Sequence, residues 1–348
     1  MPKHQAPTIT DVAKEAGVSL AAVSRVLSGD KSFVVRDETR NRITEAAKKL
    51  KYKPNPVARG LRTSRTYSLG IIVPELDNPV HARIIIGAER AAAERGYSLL
   101  IAHRDTGMSE SGIYERLVRQ NHVDGLIVAT LQDEKVGITT LNELGSPYVL
   151  VNRKARGAGH HVVIDDRGGS KKAIEYLVAL GHRRIAHLSG SPKRYNSKCR
   201  FQGYKDGLES SGLKFDKSLV FEAGYTLEGG AAAAQALLNS DAERPTAVFA
   251  STLFVAAGAM SVFRDSGVKV PRDISVIGFN DGAIAEILAP PLTTVKTPLE
   301  QMGVEAAMSL INHIEGAPAI DKQMLEETVI VVRASTAKPK KPASKKSI

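Results

Sequence analysis

The start of the chain carries two short apolar stripes, each preceded by a polar residue that can cap a helix. Thr8 and Asp11 have the spacing of a capping box, so the pattern predicts a helix that begins near Ile9. Gly17 suits the left-handed backbone that ends a helix, and Ser19 can cap a second helix just beyond it. The two stripes consist of Val12, Ala13 and Ala16, and of Val23, Val26 and Leu27. Two short helices joined by so tight a turn are typical of a helix-turn-helix, whose second helix enters the DNA major groove.

A helical hairpin buried inside a core is the structural alternative. It fits less well because the remaining face of the second helix is half polar, consisting of Leu20, Ala21, Ser24 and Arg25. A third helix is predicted over residues 36–50, with acids in its first turn and lysines in its last. Beyond it, Asn55 and Pro56 suit the start of a further helix. Only about seven residues follow before Thr63 and Ser64, so this helix should form only when something packs against it.

From Leu69 onward, apolar runs typical of strands alternate with helical patterns. The expected strands are 69–74, 98–103, 125–130, 148–152, 162–166, 184–189, 247–251 and 275–279. The expected helices lie near 82–95, 110–121, 170–180, 197–211, 228–239 and 254–265. Continuous apolar strands separated by helices predict parallel sheets covered on both faces, and their number favours two α/β lobes over one sheet. Ligands of such folds bind at the carboxyl ends of the strands, which predicts a crevice between the lobes.

Charge is concentrated at the two ends of the chain, which has a net charge of +11. Residues 1–66 hold 14 Lys and Arg against 6 Asp and Glu, and residues 337–348 hold 5 Lys and no acid. The rest of the chain is close to neutral. Basic ends around a neutral body favour nucleic acid as a partner, although a basic tail by itself is more often a solvated, disordered end.

Cysteine usage and hydropathy predict a cytoplasmic protein. Cys199 is the only cysteine, which excludes a disulfide framework and a thiolate metal cluster. The N-terminus lacks the apolar core of a signal peptide, and no apolar run approaches the roughly 18 residues that span a membrane. We therefore expect no membrane partner.

Several motifs, taken in order along almost the whole chain, match one family. At the N-terminus they are Thr-Ile-x-Asp-Val-Ala-x-x-Ala-Gly-Val-Ser at 8–19, Val-Ser-Arg-Val-Leu at 23–27 and Pro-Asn…Ala-Arg-Gly-Leu-Arg-Thr at 54–63. In the body they are 78–79, 94–97, 124–127, 181–185, 200–204, 276–279 and 291–295. One such match would be weak, but the ordered set resembles the lactose-repressor (LacI) family of bacterial transcription regulators.

The resemblance implies an α/β protein with an N-terminal all-α domain. It implies a helix-turn-helix domain over 1–53, a hinge helix and linker over 54–66, and a two-lobed effector domain over 67–335 similar to periplasmic sugar-binding proteins. Lobe one is expected over 67–164 and 294–325, lobe two over 165–293 and 326–335, and a basic disordered tail over 336–348. The chain should cross between the lobes near Asp165, near 291–294 and near Glu326. A homodimer on a pseudo-palindromic double-stranded DNA operator is implied as well.

The family's DNA contacts map onto the first two helices and the hinge. They fall on Thr8, Ser19, Leu20, Ala21, Ala22, Ser24, Arg25, Asn55, Ala58 and Leu61. Arg25 can make the bidentate contact to guanine, whereas Leu20 and Ala21 can recognise only shape or a thymine methyl. Ala22 replaces the family's usual Thr, so one phosphate contact is missing. Leu61 resembles the leucine that wedges between the central base pairs, although packing on the dimer mate is a compatible structural role.

The family's effector contacts map onto Val80, His81, Asn152, Arg200, Tyr225, Ser251 and Asn280. Arg200 can grip hydroxyls or a carboxylate, and Tyr225 can stack on a sugar face. Val80 and His81 replace the family's usual aromatics, and Asn280 replaces an acid. A cleft with fewer carboxylates and a retained arginine weakly favours a sugar acid or sugar phosphate over a neutral sugar. Tyr225 as a core residue and Asn280 as a loop cap are the structural alternatives.

The sequence supports neither of two competing classes of protein. A sugar-binding transport protein needs a signal peptide. An α/β enzyme needs a nucleophile, a metal site or a cofactor loop, and the residues predict no catalytic site, metal site or cofactor. Only a DNA-binding regulator accounts for the helix-turn-helix domain, the hinge and the two-lobed domain together. A dimeric repressor is favoured, since most relatives act by obstruction and the tail carries no leucine heptad.

Overall fold

The computed structural model describes residues 7–27, 33–52, 65–103, 107–318, 321–324 and 328–340. The chain divides into two compact units, one formed by residues 1–67 and one by residues 68–348.

The N-terminal unit contains three helices, α1 (Ile9–Ala16), α2 (Leu20–Leu27) and α3 (Asp37–Lys49). Its core includes Val12, Val23 and Ile43, one from each helix, and all three side chains are fully buried. The predicted turn between α1 and α2 is confirmed, because Gly17 ends α1 with a φ of 62°.

The second unit contains two six-stranded sheets, which define two lobes. The strands of lobe one are β1 (Ser68–Val73), β2 (Ser98–His103), β3 (Gly125–Val128), β4 (Tyr148–Val151), β5 (His160–Ile164) and β11 (Lys322–Met324). The strands of lobe two are β6 (Ile185–Ser189), β7 (Val220–Glu222), β8 (Ala247–Ala250), β9 (Ser275–Phe279), β10 (Thr293–Lys296) and β12 (Val329–Val331). The strand orders are β11-β5-β4-β3-β1-β2 and β12-β10-β9-β8-β6-β7. All the strand pairs are parallel except β10 with β12, so the expectation of parallel sheets is confirmed.

Helices cover the sheets. They are α4 (Pro79–Glu94), α5 (Glu110–Arg119), α6 (Glu134–Leu144), α7 (Asp166–Ala179), α8 (Tyr195–Ser210), α9 (Leu227–Leu238), α10 (Leu253–Asp265), α11 (Ala283–Ile287) and α12 (Leu299–Ile314). The backbones of α4 and α12 approach each other closely. A Cβ added at Gly303 would clash with the carbonyl oxygen of Ile84, and one at Gly87 would clash with that of Glu300. Glycine at these two positions therefore allows the close approach.

The second crossing between the lobes lies later than the resemblance implied. β5 ends at Ile164 and α7 begins at Asp166, so the first crossing is at Asp165. The second was expected near 291–294, but β10 pairs with β9 through Val295 and with β12 through Lys296, and the chain leaves lobe two only after that residue. The β-branched residues of β10 favour strand structure, so the sheet of lobe two continues to Lys296. The third, near Glu326, lies outside the described residues.

The predicted disordered tail is wrong for residues 336–340, which are held on lobe two. The Ala337 carbonyl accepts hydrogen bonds from Ser275 Oγ (3.1 Å) and His182 Nε2 (2.9 Å), and the Ala337 amide donates to Ser275 Oγ (3.0 Å). Lys340 Nζ lies 2.7 Å from Asp273 Oδ1. The prediction of disorder rested on composition, which carries no information about backbone contacts such as those of Ala337. The rest of the predicted tail, 341–348, lies outside the described residues.

None of the helices in the described ranges combines the length and apolar character that crossing a membrane requires.

Candidate functional site

The capping of α1 and α2 sets the shape of the helix-turn-helix. Thr8 donates through both its amide and its hydroxyl to Asp11 Oδ2, at 2.8 and 2.7 Å, and accepts from the Asp11 amide at 3.4 Å. The predicted capping box is therefore confirmed. Ser19 Oγ accepts from the Ala22 amide at 3.2 Å, as expected of an N-cap.

The exposed face of α2 carries the residues predicted to contact bases. Leu20 keeps 48% of its surface exposed, and Ala21 and Arg25 are exposed as well. Ala22 and Ser24 are half-buried. The Arg25 guanidinium carbon lies 5.3 Å from the ring centre of Phe33, a contact that steadies the side chain at the surface. The predicted hinge contacts Asn55, Ala58 and Leu61 lie outside the described residues.

The second unit has a cleft between its lobes, lined by loops that follow the strands of both sheets. Six of the seven predicted effector contacts line it, namely Val80, His81, Asn152, Arg200, Tyr225 and Asn280. Ser251 does not. It is buried behind Arg200, whose Nη1 donates to its carbonyl oxygen at 2.6 Å. Its neighbour Thr252 lines the cleft and also caps α10.

Asn152 and Asn280 occupy equivalent places in the two lobes. Each directly follows a strand (β4 and β9) and adopts a left-handed backbone, with φ values of 60° and 69°. Asparagine tolerates this conformation better than most residues. Asn280 Oδ1 accepts from Thr297 Oγ1 at 2.9 Å, whereas Asn152 Oδ1 is buried without a hydrogen-bond partner. The N-cap of the next helix, α11, is Gly282 and not Asn280.

Arg200 is already occupied by protein groups. Its Nε donates to Asp166 Oδ1 at 2.7 Å, and its guanidinium carbon stands 4.1 Å from the Phe279 ring centre. Burial raises the pKa of Asp166, and the charge of Arg200 opposes that shift. The retained arginine, on which the preference for an acidic ligand partly rested, is thus already paired with a buried carboxyl group.

Tyr225 and His81 are fixed by hydrogen bonds at the cleft wall. Tyr225 Oη lies 2.6 Å from Ser197 Oγ and donates to Asn196 Oδ1 at 3.0 Å. Tyr225 is half-buried and lines the cleft, so it is not a core residue. His81 Nδ1 lies 3.0 Å from the Glu75 carbonyl oxygen, and burial lowers the pKa of His81. A neutral imidazole with its proton on Nδ1 satisfies that contact.

Several cleft residues were missed by sequence reasoning. They are Glu75, Arg153, Arg194, Tyr195, Asn196, Phe254 and Asp281. Arg153 and Asp281 directly follow the two strand-end asparagines, which was a usable signal. Asn196 and Tyr195 begin α8, and nothing local marked them. Among the described residues, no three His, Cys, Asp or Glu side chains are grouped in a way that could hold a metal ion.

Comparison with known proteins gives consistent results over the whole chain. Residues 8–55 match the model of the bacterial regulatory proteins of the lacI family, and residues 174–336 match a periplasmic binding protein-like domain. The transcriptional regulator DegA of Bacillus subtilis is 34% identical, covering 95% of this chain and 98% of its own. The transcriptional regulator CelR of Thermobifida fusca is 35% identical, with 96% of this chain and 100% of its own covered.

Two solved structures extend the similarity to three dimensions. The transcriptional regulator CelR in complex with cellobiose gives a TM-score of 0.72 at 33% identity, covering 94% of this chain and 99% of that one. The lac repressor dimer bound to operator and the anti-inducer ONPF gives 0.79 at 26% identity, covering 96% and 100%. The helix-turn-helix, the two-lobed α/β body and these relatives agree, and the chain belongs to the LacI family of bacterial transcription regulators, which are not enzymes.

Proposed function

We propose that the protein is a repressor of carbohydrate-utilisation genes that acts in the cytoplasm and binds a pseudo-palindromic operator as a homodimer. A small sugar-like effector in the interlobe cleft controls its affinity for DNA. The observation that carries the proposal is the combination, in one chain, of an exposed α2 face with a cleft lined by both lobes. The related regulator solved with cellobiose and the lac repressor solved on its operator support the two halves of it.

The cleft suits a polyhydroxylated ligand. Asn152 and Asn280 can accept and donate hydrogen bonds to hydroxyl groups from opposite lobes, and Tyr225 offers an aromatic ring to an apolar sugar face. A ligand that contacts both lobes favours one interlobe angle over others. We propose that this angle sets the separation of the two hinge segments over 54–66 in the dimer, and with it the insertion of Leu61 into the minor groove.

Exposed apolar residues support the dimer. Ile101, on the edge strand β2, is 50% exposed, and Leu100 beside it is 40% exposed. Ile86, on the neighbouring α4, is 49% exposed. An unpaired apolar edge favours association, and a second copy of the chain would cover it. Replacing Ile101 with Asp should convert the dimer to a monomer in sedimentation experiments, whereas Val136→Asp, an exposed apolar position on α6, should not.

The operator assignment is tested by selecting sites from random double-stranded DNA with the full-length protein. We expect a pseudo-palindrome bound by two chains. Arg25→Ala should reduce affinity for that site by about 1–3 kcal/mol and relax selectivity at one base pair of each half-site. Arg40→Ala on α3 is the control for loss of charge alone. Selection of an asymmetric site, or Arg25→Ala binding as selectively as the wild type, would contradict the proposal.

A further inference from the structure

Arg153 is a buried charge whose donors are unused. Only 7% of its surface is exposed, it lines the cleft directly after Asn152, and its Nε has no hydrogen-bond partner. Nor does any other nitrogen of this side chain donate a hydrogen bond within the described part of the chain. An arginine carries five N–H donors, and buried arginines are normally paired. This one is left without a protein ligand at the wall of a ligand cleft.

A second arginine approaches it from the other lobe. Arg194, at the N-terminus of α8, lines the same cleft, and its Nη1 donates to the Leu131 carbonyl oxygen of lobe one at 3.0 Å. Burial, and then the positive charge of Arg194, lower the pKa of Arg153 to about 10. Two like charges therefore meet where the lobes come together.

The acidic groups nearby are used elsewhere. Glu110 is buried, but its carboxylate accepts from Thr130 Oγ1 (2.8 Å) and from the Gln132 amide (2.6 Å), so its hydrogen bonds do not go to Arg153. On the opposite wall, Asp281 pairs with Arg333 at 2.8 Å. Asp166 is held by Arg200. Glu75 lines the cleft but is exposed to solvent. Glu110 and Glu134 attract Arg153 electrostatically but form no hydrogen bond with it, so the donors of Arg153 remain available to an anion.

We propose that Arg153 and Arg194 form a subsite for an anionic group, phosphate or carboxylate, on the effector. This inference rests on the proposed function, since it concerns the same cleft. One oxyanion between the two guanidinium groups would receive charge-assisted hydrogen bonds from both lobes and relieve their mutual repulsion. Because each arginine comes from a different lobe, the anion would also stabilise the arrangement in which the lobes are held together. The specificity for an acidic ligand then resides in this pair and not in Arg200.

The test measures thermal stabilisation of the full-length protein by inorganic phosphate, at ionic strength matched with sodium chloride. We expect saturable stabilisation that is lost in R153Q, weakened in R194Q and retained in R156Q, where an exposed arginine close in sequence is changed. Glucose 6-phosphate and glucuronate, compared with glucose, distinguish a phosphate from a carboxylate. The preferred acid should bind at least about tenfold more tightly than glucose, a difference that R153Q abolishes.

The melting temperature of ligand-free R153Q provides an independent readout. It should not fall, because the side chain gives up no hydrogen bond. Phosphate that stabilises no more than chloride does, or that stabilises R153Q as well as the wild type, would overturn the subsite. So would a large loss of stability in ligand-free R153Q with phosphate binding intact. If a neutral sugar such as cellobiose binds while the anions do not, the proposal of an effector cleft is supported and only the anion subsite is overturned. Failure of operator selection would instead remove the proposed function.

Discussion

Arg200 Nε and Asp166 Oδ1 lie 2.7 Å apart, and their side chains are only 3% and 2% exposed. This pair joins the start of α7 to α8 and brings a charged group to the cleft wall without leaving it uncompensated. A buried pair adds little net stability compared with apolar residues, but the loss of one partner leaves a charge that water cannot reach.

Asp166→Asn should therefore lower the free energy of unfolding by about 3 kcal/mol or more. Urea unfolding followed by circular dichroism measures the change. The exposed pair Arg264–Asp265, at 3.0 Å, supplies the control. Asp265→Asn should change the free energy of unfolding by less than about 1 kcal/mol. Equal effects of the two substitutions would show that burial of the Arg200 pair carries no energetic consequence.

His187 should make the stability of the body depend on pH. It is fully buried among the rings of Phe201, Tyr204 and Phe249, and burial lowers its pKa to about 4. The ordinary pKa in the unfolded chain is about 6.5, so the unfolded state binds more protons between these values. Stability is therefore lost as the pH falls from about 6.5 towards 4.

His187→Phe should reduce this loss by about 3 kcal/mol between pH 7 and pH 4, since phenylalanine fits the stack and does not titrate. Unfolding curves across that pH range provide the measurement. His122→Gln, at an exposed position, should keep the wild-type slope. An unchanged slope in His187→Phe would mean that another group controls the acid sensitivity.

Residues up to Lys340 should contribute to the stability of the fold, whereas residues beyond Lys340 should not. A chain ending at Lys340 should melt within about 1 °C of the full length, since it keeps all the contacts of Ala337. A chain ending at Thr336 leaves His182 Nε2 and Ser275 Oγ without their Ala337 partners, which should cost about 1–3 kcal/mol. Differential scanning calorimetry of the two chains distinguishes a bound segment from a passive tail. Equal melting temperatures would show that the Ala337 contacts do not contribute.

Gly303 should tolerate no side chain. Gly303→Ala places a methyl group against the Ile84 carbonyl and should destabilise the body by about 1–3 kcal/mol through overpacking. Gly112→Ala, on α5, meets only side-chain atoms at 3.3 Å or more and gains helix propensity. Thermal unfolding that ranks the two variants equally would contradict the close approach of α4 and α12.

The elements predicted from sequence were those whose signal is local. Strands such as β4 and β9 are continuous apolar runs, and the prediction found them to within a residue. β10 was missed because its threonines look polar, although both Thr293 and Thr294 are fully buried in the sheet. The helix α12 was also missed, even though its apolar residues recur at helical spacing. For α12, therefore, the sequence contains enough information to predict the helix.

The positions of the cleft residues could be predicted from the sequence, but the contacts between their side chains could not. The resemblance predicted Asn152, Tyr225 and Asn280 as effector contacts, and all three line the cleft. It could not show that Asp166 pairs with Arg200, or that Arg153 faces Arg194 without a hydrogen bond to an acid. Those relationships depend on side chains from different elements and, for the second pair, from different lobes.

The measurement that tests the account most directly is the affinity of the full-length protein for its selected operator, with and without the effector that stabilises the body. Fluorescence anisotropy at fixed salt gives both dissociation constants. We predict that a saturating effector changes the operator affinity by about 5- to 150-fold, and that Tyr225→Ala removes this change while leaving effector-free binding intact. An operator affinity that does not respond to an effector bound in the cleft would contradict the account.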